Sequence, residues 1–115
     1  MKRGRRGHHP VWASAVAVLR RDVPLPLPVR VTRARTPGCL GSCELRGKGR
    51  SRRFLIRVDP ELPLSVALHF LVHEWAHALD AWGAGAARAD WSPADHGETW
   101  GLHYARAYRA MFEAD

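Results

Sequence analysis

The chain has 115 residues, 46% of them hydrophobic and 25% charged, with a formal net charge of +7. That length suits one domain with one core, the composition excludes a wholly disordered chain, and no apolar run is long enough to span a bilayer. The charge is unevenly divided, with fifteen Lys/Arg against Asp22 and Glu44 in residues 1–57 and three Arg against nine acidic residues in 58–115. The basic half is expected to meet something acidic. Nucleic acid, DNA in particular, is the expected contact, because Lys and Arg that neutralise phosphates release counterions. An Arg-rich, solvated strand face with a solubilising tail is the plainer reading of the same residues.

Residues 1–9 form a basic tail and 10–115 a single domain. The apolar "VWASAVAVL" after that tail has the outline of an export signal, but Arg20 and Arg21 follow at once and no clear cleavage site is present. Trp12, Ala15, Val16 and Leu19 fall at i, i+3, i+4 and i+7, which predicts an amphipathic helix and, with it, a cytoplasmic protein. "DVPLPLPV" has prolines at alternate positions and reads as an extended connector. "VRVTRAR" alternates apolar and basic residues, the pattern of a strand with one face in the core. Two more strands are expected around the Gly-rich turn of "CELRGKGRSRRFLIRVD", with Phe54, Ile56 and Val58 on one face. Cys39 and Cys43 lack a second pair of ligands nearby and read as two reduced thiols.

A long helix is predicted from Leu64 to Trp82, ended by Gly83 and apolar on more than one face. "GAGAARADW" reads as a loop bordering a cleft with Trp91 in its wall. "SPAD" reads as a helix start, with Ser92 as cap and Pro93 at the first position, for a last helix running to about Phe112.

Inside the long helix lies HEWAH, an HExxH pattern: His73, Glu74 and His77. Residues four apart project from one helix face, so His73 and His77 can reach a single Zn²⁺. Glu74 flanks them, placed to take a proton from water rather than to ligate. With seven His and five Glu in the chain, the pattern arises by chance in about 2% of such sequences, so it carries weight. His69 makes a rival i, i+4 pair with His73, but no glutamate follows it, and it reads as a core or supporting histidine.

A catalytic zinc takes three protein ligands and keeps one position open. The third must come from elsewhere, and "DHGETWGLH" offers His96, then Glu98 and His103. His96 and His103 lie seven apart, on one face if both are helical, with Trp100 between them. Asp80 and Asp95 are alternatives for orienting a ligand imidazole, and Tyr104 or His103 for supporting an oxyanion, although packing is the simpler role of the last two. The tryptophans otherwise read as core.

"LVHEWAHALD" followed after a loop by "HGETW" resembles the SprT-like zinc metallopeptidase domain, with "CELRGKGRSRRFLIRVDPEL" and "GLHYARAYRAMF" adding to the likeness over roughly residues 28 to 113. The resemblance implies Zn²⁺ on His73, His77 and His96, with Glu74 as catalytic acid/base. It also implies an α+β, zincin-like fold: a three-stranded antiparallel sheet packed on the HExxH helix, between an N-terminal and a C-terminal helix. The expected function is zinc-dependent hydrolysis of peptide bonds in a protein or peptide substrate, with action on DNA-associated proteins. The alternative is a nucleic-acid-associated binding protein whose zinc is mainly structural. A monomer without membrane contact is expected in either case.

Overall fold

A computed structural model describes residues 10–83 and 97–113. Helix α1 spans Pro10–Asp22, strand β1 Val29–Arg33, β2 Gly41–Arg46 and β3 Arg53–Val58. Helix α2 spans Leu64–Gly83 and α3 Glu98–Tyr108, which runs on into a π-helical turn at Arg109–Glu113. The fold is α+β. No helix among the described residues is long and apolar enough to cross a membrane.

The sheet is mixed, which corrects the antiparallel expectation. Its order is β1-β3-β2, with β1 parallel and β2 antiparallel to β3. The turn at Thr36–Cys39, with Gly38 at φ 83°, reverses the chain between β1 and β2 but leaves one strand's width between them. β3 fills that space. It has the most completely buried set of inward side chains, Phe54, Ile56 and Val58, and these are shielded best at the centre of the sheet. The β2–β3 turn depends on Gly47 at φ 86°, where a Cβ would sit 2.3 Å from the Ser51 carbonyl oxygen.

Of the stripe that the periodicity predicted, helix α1 buries Trp12, Ala15 and Leu19 and half-buries Val16. The proline-rich connector then leads to β1 with its prolines exposed and Leu25 and Leu27 half-buried against the core. Arg33, at the end of β1, lies over the Trp12 ring at 4.9 Å and donates to the carbonyls of Asp59 and Leu62, both at 3.1 Å. One guanidinium thereby joins α1, the sheet and the approach to α2.

Helix α2 fills the middle of the molecule. Leu71, Val72, Trp75, Ala76 and Ala78 are fully buried, packed between the inner face of the sheet and the helices. The expected helix start at Ser92–Asp95 lies outside the described residues. The described helix α3 begins at Glu98, after an extended Gly97 at its N-cap.

Buried Trp75 also donates its indole N–H to the Val23 carbonyl at 2.8 Å, fastening the end of α1 to α2. Trp75→Phe removes the donor, strands a buried carbonyl and opens a small cavity. The variant is expected to lose about 2–4 kcal/mol of unfolding free energy in urea titration, and a loss below about 1 kcal/mol would show that this fastening is dispensable.

Candidate metal centre

One turn of α2 separates His73 from His77, and the structure brings their Nε2 atoms to 3.2 Å. Two nitrogens each about 2.0–2.1 Å from one tetrahedral ion would lie about 3.3 Å apart, so the pair fits a shared metal. Without metal the same separation is a direct hydrogen bond, one ring donating and the other accepting. His77 is buried at 4% exposure and His73 is half-buried.

Glu74 points towards the start of β2. It is buried at 6% exposure, and among the described residues no hydrogen bond reaches its carboxylate. Burial raises its pKa from an ordinary 4.5 to about 7. Gly41 makes room for it: a Cβ there would stand 3.2 Å from Glu74 Oε2 and 3.1 Å from the Phe70 ring. No local pattern around Gly41 signals this, because the contact is made between elements distant along the chain.

Trp100, on the first turn of α3, covers both imidazoles. Its ring lies 5.1 Å from that of His73, edge to face, and 5.5 Å from that of His77. Behind it Tyr104 follows at 5.2 Å, Tyr108 at 6.1 Å and Phe112 at 4.7 Å, a ladder at four-residue spacing. Trp12 and Trp75 are core, as expected, whereas Trp100 belongs to the site. The "HGETW" motif contains this tryptophan, but motif spacing does not show what its ring touches.

The other candidates separate clearly. His69 is exposed, not core: its Nδ1–H donates to the Ser65 carbonyl at 2.8 Å and its ring stacks on Phe112 at 4.7 Å. It stands where α2 meets the π-helical turn, which leaves one side of the ring in solvent. His96, Asp95 and Trp91 lie outside the described residues, as does the 84–96 loop. Glu98 is exposed and His103 half-buried. No three His, Cys, Asp or Glu side chains among the described residues converge as a metal site. Asp80 makes no hydrogen bond to either imidazole among those residues. Tyr104 is half-buried in the aromatic ladder, and burial, followed by neighbouring Tyr108, raises its pKa.

Both thiols are free, Cys39 exposed and Cys43 buried on the inner face of β2. Burial, and after it the charges of Glu74 and Glu44, push the Cys43 thiol far up. Cys43 is therefore an inert core residue.

The raised pKa of Glu74 has a signed consequence for the metal-free protein. The folded state holds this proton between about pH 4.5 and 7, where the unfolded chain has released it, so stability falls as pH rises through that window. Glu74→Gln removes the ionisation. The stability gap between variant and wild type should move in the variant's favour by about 3 kcal/mol from about pH 4.5 to about pH 8, measured in chelator. A gap independent of pH would contradict the burial argument. No protein-family model matches the chain, no curated protein matches it, and no solved structure matches it.

Proposed function

We propose that the protein is a zinc-dependent peptidase of zincin-like, SprT-like type. The observation that carries this reading is the 3.2 Å approach of the His73 and His77 Nε2 atoms beside a buried Glu74 whose pKa is raised to about 7. A hydrogen-bonded core pair of histidines has no need of that carboxyl. A hydrolysis does, because a carboxylate beside the two imidazoles can take a proton from the attacking water.

His73 and His77 would hold the ion, with His96 as the third ligand carried by the resemblance. Bound zinc supplies a Lewis acid that polarises a carbonyl and lowers the pKa of water to near neutral. The protein's own groups do the rest. Glu74 takes the proton of the attacking water on its carboxylate and returns it to the departing amine nitrogen, so one group serves as base and then as acid. Trp100 holds both imidazoles from one side and keeps water from that side of the site.

The substrate would be an extended peptide. β2 occupies a sheet edge, and it begins at Gly41, directly beside Glu74. A peptide added to that edge binds through its backbone and passes the carboxyl in extended form. Peptide bonds in unfolded segments are therefore the substrate class, with backbone geometry more important than any single side chain.

Metal analysis of protein purified without a metal-affinity tag should find one zinc per chain, lost in His73→Ala and in His96→Ala. Glu74→Gln should keep the zinc while hydrolysis of a fluorescent, denatured protein falls by about 10²–10⁴-fold or more. A zinc-free wild type that stays so after zinc is added back would sink the reading. Zinc retained with undiminished cleavage in Glu74→Gln would remove the base from the mechanism. Bound zinc without any cleavage would favour a binding protein with a structural ion.

A further inference from the structure

The sheet has two unlike faces. Phe54, Ile56, Val58 and Cys43 point inward to α2, and the register assigns the alternate residues to the opposite face. There Arg57 pairs in register with Thr32 and Ser42, Leu55 with Arg30 and Glu44, and Arg53 with Arg46. The β2–β3 turn extends this surface with exposed Lys48 and Arg50. Glu44 is the single acidic side chain on this face of the three strands, held by Arg46 at 2.6 Å and approached by Arg57 at 3.9 Å.

Local bonds engage some of these cations but leave the face with a surplus of positive charge. Arg46 and Arg53 are direct cross-strand partners; Arg46 is paired with Glu44 and Arg53 donates to the Ser51 carbonyl at 3.1 Å, so a single carboxylate stands among Arg30, Arg46, Arg53 and Arg57. Solubility needs only mixed charge. A flat group of cations with one carboxylate among them is complementary to a polyanion.

We infer that this outer sheet face binds the phosphate backbone of nucleic acid without regard to sequence. Leu55 is the one large apolar side chain on this face of the strands and no aromatic ring lies there, so the face lacks the anchors that a membrane or a protein partner requires. The lack of an aromatic ring also excludes base stacking as the main contact and leaves the backbone as the recognised element. The candidate metal centre lies on the inner side, among α2, α3 and the start of β2, so both surfaces can be occupied together.

The test is anisotropy titration of labelled duplexes of about twenty base pairs in two unrelated sequences, compared with vesicles containing anionic lipid. The wild type should bind both duplexes alike and weaken about a hundredfold between about 50 and about 200 mM salt, as expected for about four neutralised phosphates. Arg30→Gln/Arg46→Gln/Arg53→Gln should bind at least about tenfold more weakly, and Arg30→Gln alone, which removes no ion pair among the described residues, about threefold. Arg21→Gln/Arg106→Gln/Arg109→Gln removes equal charge from the helical side and should change affinity by less than about threefold. Glu74→Gln should bind like the wild type, so failure of the peptidase reading leaves this one intact. Equal weakening by the two triple variants, a flat salt response, no binding at all, or tighter binding to the vesicles than to the duplexes would each overturn the inference.

Discussion

Helix α2 is enclosed by the sheet, α1 and α3, and the arrangement of the molecule follows from what that enclosure demands of its polar residues. Glu74 and His77 are almost as inaccessible as the alanines and leucines around them. Burying a carboxylate and two imidazoles without partners would cost several kcal/mol, a large fraction of the stability of a domain this size. The structure answers in two ways. The imidazoles are brought to 3.2 Å, where one donates to the other, and burial raises the Glu74 pKa to about 7, which holds its carboxyl protonated below that pH.

Small residues let the surrounding elements come close. Ala67, Ala76, Ala78 and Ala81 are fully buried on α2, and Gly41 at the mouth of β2 leaves room for the Glu74 carboxylate. A side chain at position 41 would press on Glu74 and on Phe70 together, so the strand's start and the carboxyl constrain each other. The sheet order matters for the same reason. With β3 in the centre, β2 is left at an edge of the sheet among the described residues, and that edge starts beside Glu74 rather than on the far side of the sheet.

Local pattern was legible in the sequence, and partnership was not. The stripe of Trp12, Ala15 and Leu19, the inward set of Phe54, Ile56 and Val58, and the span of α2 all follow from periodicity and capping residues. Alternation identifies a strand's faces but not its neighbour or its direction, and so β1 was expected antiparallel and is parallel to β3. HEWAH disclosed His73, Glu74 and His77 because helical spacing alone brings them together. Gly41 and Trp100 reach the site from other elements through tertiary packing, which no local spacing encodes. His69 shares the four-residue repeat of the two ligand candidates, yet it lies on the exposed part of α2, so the repeat by itself does not distinguish rim from interior.

The division of charge along the chain becomes a division between faces only after the arginines with structural tasks are set aside. Arg33 stacks on Trp12 and donates to two carbonyls, Arg20 donates to the Val29 carbonyl, Arg21 pairs with Asp22, and Arg35 pairs with Glu61. Arg33, Arg20 and Arg35 tie the helices and connections to the sheet, whereas Arg21 pairs only with its chain neighbour. On the outer face Arg46 is likewise paired with Glu44 and Arg53 donates to the Ser51 carbonyl, whereas Arg30 and Arg50 make no side-chain bond among the described residues. The same three strands therefore carry two separate duties through their two-residue period. Inward side chains build the wall against which α2 buries its ionisable groups, and outward side chains form a cationic surface that the packing of that wall does not require.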